Sequence, residues 1–358
     1  MVVGNFLASW GYPKLDWIQV GVTTECNAAC IYCPHPMFKK HGRSRHMSMQ
    51  DFSALAPAFA RSELVYLQGW GEPMLHPEFM SMIELVKKKG AQVGATSNGT
   101  MLTEDMVRKL VDLELDVLGL SVAGVDQVND QIRPGSTLKQ IQRAVEMVHR
   151  IRALKGSSVP SLHMAYMLLA SRRCDIPRMP HFFNSLGLDH IVVSSLTLAI
   201  SPEMEKEMYP AQDPQDFEGF KHELLDMQKD VDEGEDRVFF HIYNPYQEGG
   251  MCSENIFNAC YADVDGRVLP CIYTDVAEGE QVYKYFQGEK HLLYPLEFGR
   301  LSSSNLKKIW FSRKYKEFRE QFSRGNLHDV CKYCCKRYMD DLIDEQPQEI
   351  LIDNSVPT

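Results

Sequence analysis

Apolar and polar positions alternate along the first half of the chain in a way that predicts alternating strands and helices. Apolar runs of about four to eight residues are typical of strands buried in a parallel sheet. They occur at Ile18–Val22, Leu64–Leu67, Val93–Thr96, Val117–Val122, Leu162–Leu169 and His190–Ser195. Helical periodicity lies between them, at Met49–Ala60, Pro77–Lys89, Glu104–Leu113, Leu138–Leu154 and Ile176–Leu186. Strict alternation predicts an α/β fold, either a barrel or a doubly wound sheet.

The pattern changes after residue 196. Residues 197–244 are predicted to be a connector, because prolines interrupt them and the helix expected over Phe217–Asp232 carries too much charge to belong to a core. Residues 245–340 are predicted to form a smaller unit. In it Asp263–Cys271 indicates a hairpin with an Asp-Gly turn and Ser304–Phe322 indicates a helix. The chain after Met339 has six acidic and no basic residues, so 341–358 is predicted to be a solvated acidic tail.

Composition narrows the possible partners and the compartment. A net charge of −10 argues against a nucleic-acid partner, because such binding needs clustered Lys and Arg. The sequence has no apolar run of about 18 residues and no signal-peptide pattern, so we expect no membrane partner and a cytoplasmic location. Thiols stay reduced there, so clustered cysteines are more readily metal ligands than disulfides.

Three cysteines follow the first predicted strand in the segment Cys26-Asn-Ala-Ala-Cys30-Ile-Tyr-Cys33. Cysteine thiolates hold four-iron clusters, and a set of three leaves one iron without a protein ligand. The alternatives are a zinc site or three unrelated buried cysteines. Zinc motifs usually combine two C-x₂₋₄-C pairs, and the next cysteine here is Cys174.

A second group of cysteines lies in the last part of the chain, at Cys252, Cys260, Cys271, Cys331, Cys334 and Cys335. The predicted hairpin would place Cys271 near the residues that precede it, and the predicted helix would deliver the Cys331–Cys334 pair. Four thiolates from a hairpin and a C-x₂-C turn make a closed tetrahedral site. Such a site suits zinc or a fully ligated four-iron cluster, and the spacing leaves both open.

Polar residues follow three of the predicted strands. Gln68-Gly-Trp-Gly-Glu-Pro73 presents the carboxylate of Glu72 beside glycines that permit close backbone approach, although a plain turn has the same composition. The third strand leads into Thr96-Ser-Asn-Gly-Thr100, and the fourth ends in Ser121-Val-Ala-Gly124. Farther on, Arg133 has a side chain that can bind a carboxylate with two hydrogen bonds.

The first cysteine segment, with Tyr32 just before its third cysteine, resembles the signature loop of the radical S-adenosylmethionine enzymes. The resemblance implies a partial (β/α)6 barrel with the active site at the C-terminal ends of the strands. It also implies that Cys26, Cys30 and Cys33 ligate a 4Fe-4S cluster whose open iron binds S-adenosylmethionine, with Tyr32 beside the adenine.

The segment with Gly71 and Glu72 is similar to the family's GGEP-type motif, with Trp70 between the glycines, and by this resemblance it binds the amino group of S-adenosylmethionine. By position, Ser97, Asn98 and Ser121 match places where the family contacts the methionine carboxylate or the ribose. Arg133 falls in a segment that the family often places over the active site, so it is a further candidate for cofactor binding.

The later cysteines, Cys252-x₁₃-Gly266-x₄-Cys271 and Cys331-x₂-Cys334, are similar to the auxiliary-cluster domains called SPASM or twitch. A full SPASM pattern has further cysteines, whereas position 340 is Asp340 and no cysteine follows Cys335. The resemblance therefore implies one auxiliary 4Fe-4S cluster, held by Cys252, Cys271, Cys331 and Cys334. Cys260 and Cys335 remain alternate ligands, in a small hairpin-plus-helix iron–sulfur domain.

The resemblance implies reductive cleavage of S-adenosylmethionine to a 5′-deoxyadenosyl radical, which takes a hydrogen atom from a substrate. Relatives with auxiliary domains mostly modify peptides or proteins, so a peptide or protein substrate is expected, with reduced ferredoxin or flavodoxin as electron donor. Small-molecule dehydrogenation and biosynthesis of a metal cofactor are alternatives, as is a non-enzymatic iron–sulfur or zinc protein. No general base is assigned from the sequence.

Overall fold

Seven parallel strands form the part of the sheet that positions the site. The structure, a computed structural model, describes residues 11–35, 45–232, 237–276 and 281–342. The strands are β1 Leu15–Val20, β2 Ser62–Tyr66, β3 Gln92–Ser97, β4 Val117–Val122, β5 Ser161–Leu168, β6 His190–Ser195 and β7 Val238–Tyr243. Each pairs in parallel with the next, and β1 and β7 do not pair with each other. The sheet is therefore an open partial barrel.

Helices cover the outer face of these strands. They are α1 Met49–Phe59, α2 Phe79–Lys89, α3 Glu104–Asp112, α4 Val128–Ile132, α5 Leu138–Lys155, α6 Met179–Asn184, α7 Pro202–Lys206 and α8 Pro214–Asp232. Local signals fix several starts. Thr103 accepts a hydrogen bond from the amide of Met106, and Thr137 and Gln140 form a capping box. Apolar faces of the longer helices and side chains of the strands make the main core, whereas Ile132 of α4 and Met204 of α7 belong to a second apolar cluster.

The C-terminal part of the chain joins both edges of this sheet. On one edge β8 Ala259–Ala262 pairs in parallel with β1, and β9 Arg267–Leu269 and β12 Gly299–Arg300 extend the sheet. On the other edge β13 Met339–Asp340 pairs antiparallel with β7. Between them lie the hairpin β10 Val282–Phe286 and β11 Glu289–Leu293, and the helices α9 Leu306–Trp310, α10 Arg313–Ser323 and α11 Asp329–Lys332.

The six predicted strands and most predicted helices are found within a few residues of their expected positions. The predicted hairpin is also present, with Gly266 at a φ of +70° in its turn and Cys271 after its second strand. Two helix predictions are wrong in detail. The first residues of the predicted helix Ile176–Leu186 belong to a 3₁₀ segment, Ala170–Arg178, and the α-helix itself is α6. The predicted helix Ser304–Phe322 is divided into α9 and α10.

The expectation that the helix of residues 217–232 carries too much charge to belong to a core is wrong. Helix α8 belongs to the core, because Phe217, Phe220, Leu224, Met227 and Val231 are all buried along one face. These positions follow the helical period, so the many charges of this helix occupy its other faces. The helix packs on α6 and on β7, which is a seventh parallel strand within the stretch expected to be a connector.

The division of the chain at residues 196 and 245 stays a prediction. The predicted acidic tail, 341–358, lies outside the described residues from 343 onward. Across the described ranges, none of the helices combines the length and the apolar character needed to cross a membrane.

Candidate active site and second cysteine cavity

A cavity of about 470 Å³ lies at the C-terminal ends of the parallel strands. Its lining includes every candidate that the sequence placed in the first half of the chain: Cys26, Cys30, Tyr32, Cys33, Gly71, Glu72, Ser97, Asn98, Ser121 and Arg133. The C-terminal ends of parallel strands meet at one edge of a sheet, and this is where ligands bind in open and closed β/α folds.

Backbone hydrogen bonds hold the loop of the three cysteines from two sides. The amide of Glu72 donates to the Glu25 carbonyl at 2.7 Å, and the amide of Ala29 donates to the Pro134 carbonyl at 2.7 Å. Gly71 permits the first contact, because a Cβ at this position would lie 2.4 Å from the Thr23 carbonyl oxygen and 2.6 Å from that of Glu25. The cysteine loop is therefore fastened to the glutamate loop on one side and to the segment that follows Arg133 on the other.

The three thiols sit in a setting that suits a polynuclear group. Backbone amides of Ala28 and His35 donate to the sulfurs of Cys26 and Cys33, each at 3.5 Å, and such bonds tune sulfur ligands. Burial raises the pKa of Cys33 to about 12. Within the described ranges, no three His, Cys, Asp or Glu side chains converge as the ligands of one metal ion would.

The carboxylate of Glu72 is buried and held on both oxygens. Ser97 Oγ donates to Oε1 at 2.8 Å, and the amide of Asn98 donates to Oε2 at 2.7 Å. Met74 adds a weaker amide bond at 3.4 Å. Burial raises the pKa of Glu72, while these hydrogen bonds act in the opposite direction. A carboxylate has about four acceptor sites, so room is left for a cationic donor from a ligand.

Two further candidates, Asn98 and Arg133, contact residues of the cysteine loop through their side chains. The amide side chain of Asn98 donates to Asn27 Oδ1 at 2.8 Å and accepts from Thr100, so it fastens the third strand's loop to the cysteine loop. Arg133 is buried and its guanidinium donates to the Tyr32 hydroxyl. Its Nε has no hydrogen-bond partner among the described residues, although it is buried. A ligand that brings an acceptor would satisfy this atom.

Five of the six later cysteines line a second cavity, next to the first: Cys252, Cys271, Cys331, Cys334 and Cys335. Burial raises the pKa values of Cys252, Cys271, Cys331 and Cys335, that of Cys331 to about 12. Cys260, which the sequence left as an alternate cluster ligand, does not line this cavity, and its assignment as an alternate ligand is corrected. It lies on β8 opposite Ile18 of β1, 2% exposed in the apolar core. Cys335 stays an alternate to the four predicted ligands.

Three side chains that sequence reasoning missed form a wall between the two cavities. Glu254, Tyr273 and Lys336 each follow a cavity cysteine by two residues, and each lines both cavities. Lys336 Nζ lies 3.0 Å from the Glu254 carboxylate and over the Tyr273 ring, 5.3 Å from its centroid. The repeated position, two residues after a cysteine, was the available signal in the sequence.

Comparison with known protein families finds one match for the part of the chain with the first cysteine group and another for the part with the second. Residues 20–159 match the Radical SAM superfamily, and residues 252–335 match SPASM, an iron–sulfur cluster-binding domain. A tungsten-containing aldehyde ferredoxin oxidoreductase cofactor-modifying protein of Pyrococcus furiosus is 25% identical over 341 residues, covering 92% of this chain and 90% of that protein.

Solved structures of similar fold share little sequence. Streptococcus suis SuiB bound to its precursor peptide SuiA has a TM-score of 0.62 at 12% identity, covering 95% of this chain and 74% of that one. The protein anSMEcpe with bound AdoMet and the Cp18Cys peptide has a TM-score of 0.61 at 16% identity, covering 90% and 87%. These likenesses confirm the α/β partial-barrel fold.

The two family matches cover more than half of the chain, and each contains one of the two cysteine groups. A Radical SAM domain together with a SPASM domain implies 4Fe-4S clusters and S-adenosylmethionine as cofactors. The chain therefore belongs to the radical S-adenosylmethionine enzymes and carries a C-terminal SPASM iron–sulfur domain.

Proposed function

We propose that Cys26, Cys30 and Cys33 hold the 4Fe-4S cluster that binds S-adenosylmethionine, and that the enzyme abstracts a hydrogen atom from a peptide or protein. The observation that carries the proposal is the buried Glu72 carboxylate, which lines one cavity with these thiols and retains acceptor capacity. When bound, the cluster supplies the electron for reductive cleavage of S-adenosylmethionine.

The chain's own residues orient the cofactor in this proposal. Glu72 accepts hydrogen bonds from the ammonium group of S-adenosylmethionine, with Ser97 and the Asn98 amide fixing its carboxylate. Arg133 offers its unpartnered Nε to an acceptor and positions Tyr32. Ser121 lines the same cavity, on the strand between those of Ser97 and His163.

The four later cysteines Cys252, Cys271, Cys331 and Cys334 hold one auxiliary 4Fe-4S cluster in this proposal. Four thiolates would complete the ligand shell, which leaves this group without a position for S-adenosylmethionine. Its separation from the first cavity by Glu254, Tyr273 and Lys336 supports distinct roles for the two sites.

The lining of the first cavity favours a peptide over a strongly anionic cofactor. Among the described lining residues, the cations besides histidine are Arg133, whose Nε is without a partner, and Lys336, which pairs with Glu254, so at most one of them is available to a ligand. Phosphate recognition generally uses a cluster of available cations. Amide, hydroxyl and aromatic groups are plentiful instead, at Gln19, Gln68, Thr96, Ser194, Tyr66 and Trp70, and such groups suit peptide bonds and uncharged side chains. Two proteins of similar fold have peptides bound in their solved structures.

One observation favours a second candidate, the modification of a cofactor for a metalloenzyme. The relative from Pyrococcus furiosus matches over nearly its whole length and is a cofactor-modifying protein by name. The two candidates differ in the size and chemistry of the substrate, which a fractionation experiment separates.

The test uses anaerobically reconstituted enzyme with S-adenosylmethionine and either dithionite or reduced flavodoxin. Host-cell extract is separated by dialysis into macromolecules and small molecules, and each fraction is assayed for stimulation of 5′-deoxyadenosine formation. Stimulation by the macromolecules that protease treatment abolishes is the expected result. Stimulation by the small molecules alone would contradict the peptide proposal and support the cofactor. The Glu72→Gln variant is the control, since it must lose stimulation by both fractions.

A further inference from the structure

Lys284 places a positive charge where the hairpin pattern calls for an apolar residue. Val282, Lys284 and Phe286 alternate along β10 on its buried face, and each is 5% exposed. Residues at alternate positions of a strand share a face. Lysine is almost never fully buried unless it is paired, so this position needs a compensating group.

The compensating group is not a carboxylate of the described chain. Lys284 Nζ donates to the Val330 carbonyl at 2.6 Å, and no ion pair with an acidic residue accompanies this bond in the described ranges. An ammonium group has three donors, and a carbonyl dipole offsets only part of its desolvation. Val330 directly precedes Cys331, so this bond places the ammonium group at the cysteine cavity, which Lys284 lines.

The hairpin is fastened to the body of the protein, which fixes the position of this lysine. The amide of Tyr285 donates to the Ala199 carbonyl at 2.9 Å, and the amide of Gly288 donates to Glu205 Oε1 at 2.8 Å. Both bonds lie within four residues of Lys284. The ammonium group is therefore held at the cavity by the fold and not by a flexible surface loop.

The other lysine of this cavity differs in its pairing. Lys336 is 3.0 Å from Glu254, so its charge is already balanced by a carboxylate. Burying an unpaired charge costs several kcal/mol even after relaxation, and a nearby opposite charge offsets that cost. The cavity thiols bring negative charge once they are deprotonated as ligands, because metal coordination removes their protons.

We propose that the Lys284 ammonium group is the buried counter-charge of the auxiliary cluster and raises its reduction potential. This inference rests on the proposed function for Cys252, Cys271, Cys331 and Cys334. Net charge around an iron–sulfur cluster is one of the factors that set its potential. Adding an electron is easier beside a positive charge, so the removal of this charge moves the midpoint to more negative values.

The test is a redox titration of full-length, anaerobically reconstituted protein, followed by electron paramagnetic resonance. Lys284→Met removes the charge at similar length, and Lys284→Arg keeps it. Lys290→Met is the matched control, since Lys290 lies on the other strand of the same hairpin and is exposed. The expected result is a more negative midpoint for the C-terminal cluster in Lys284→Met only. The midpoint of the N-terminal cluster serves as an internal reference and stays constant.

The outcomes separate this inference from the function on which it rests. An unchanged C-terminal midpoint in Lys284→Met, with full iron content, would overturn the role of Lys284 and leave the two-cluster proposal standing. Wild-type protein without an iron signal from the C-terminal cysteines would overturn both. If Lys284→Met fails to retain C-terminal iron, retention by Lys284→Arg supports the counter-charge. Loss of the C-terminal iron in both variants contradicts the counter-charge, because iron binding would then require the shape of the lysine side chain and not its charge.

Discussion

The indole ring of Trp70 meets the phenol ring of Tyr273 edge to face, with 6.2 Å between the ring centroids. Trp70 lies between Gly69 and Gly71 in the loop of Glu72, and Tyr273 follows Cys271 by two residues. The Tyr273 hydroxyl is also 3.0 Å from Thr197 Oγ1. This contact joins the loop proposed to bind S-adenosylmethionine to the segment proposed to hold the auxiliary cluster.

The contact predicts an effect of Tyr273 on the affinity for S-adenosylmethionine. An edge-to-face pair contributes about 0.5–1.5 kcal/mol, so we expect Tyr273→Ala to weaken binding roughly two- to tenfold through the Glu72 loop. Anaerobic calorimetry measures the affinity, with iron content checked in parallel. Tyr283→Ala, on the hairpin strand β10, is the control and should bind normally. Unchanged affinity in Tyr273→Ala at full iron content would argue that the contact is only structural.

Glu72→Gln should separate cofactor binding from cluster binding. The variant loses the negative charge that matches the ammonium of S-adenosylmethionine, so we expect affinity to fall by about 1.5–3 kcal/mol while iron content stays normal. Glu78→Gln changes an exposed carboxylate nearby and should alter neither property. Loss of iron in Glu72→Gln would place this residue at the cluster instead.

The auxiliary cavity contains five thiols for four ligand positions, which leads to a prediction about the alternates. Cys335→Ala should keep the iron of both clusters, because the ligands are assigned to Cys252, Cys271, Cys331 and Cys334. Cys260→Ala should keep it too, since Cys260 lies in the core on β8. Iron and sulfide analysis of the two variants provides the measurement. A loss of about four iron atoms in Cys335→Ala would make Cys335 a ligand in place of one of the four.

A partly buried acidic group predicts how stability depends on pH. Burial, and then the neighbouring Asp263, raise the pKa of Asp275 to about 7. In the unfolded chain an aspartate has a pKa of about 3.9, so between about pH 4 and pH 7 the folded state holds the extra proton. The free energy of unfolding therefore falls as the pH rises through this window and levels off above it.

Asp275→Asn removes this contribution, and its unfolding free energy should change less between about pH 4 and pH 7 than that of the wild type. Urea unfolding at a series of pH values measures the difference. Glu84→Gln, a change at an exposed carboxylate, is the control and should follow the wild-type profile. Parallel profiles for Asp275→Asn and the wild type would contradict a raised pKa at this position.

The sequence was most informative where periodicity and motifs act locally. The run Val117–Val122 is a strand with the predicted bounds, and Thr103 caps α3, because apolar strand runs and caps depend on neighbours in the chain. Burial of α8 was not predicted, since its apolar stripe is diluted by charges on the other faces. The total number of charged residues in a helix does not show whether it has an apolar face, whereas the spacing of its apolar residues does.

Long-range placement explains what else was missed. Cys260 has the same residue type as the cavity cysteines, and only the pairing of β8 with β1 places it in the core. Tyr273 and Lys336 are 63 positions apart in the chain and meet because a hairpin and a C-terminal turn close on the same wall. No local pattern carries this information, since it depends on how the C-terminal part spans the two edges of the sheet.

The measurement that tests the central claim most directly compares wild-type protein with the Cys26→Ala, Cys30→Ala, Cys33→Ala triple variant. Both are reconstituted anaerobically, analysed for iron and reduced for electron paramagnetic resonance with and without S-adenosylmethionine. We predict about eight iron atoms in the wild type and about four in the variant, with a spectrum that responds to S-adenosylmethionine in the wild type only. Equal iron content in the two proteins, or a response to S-adenosylmethionine that survives in the folded variant, would contradict the assignment.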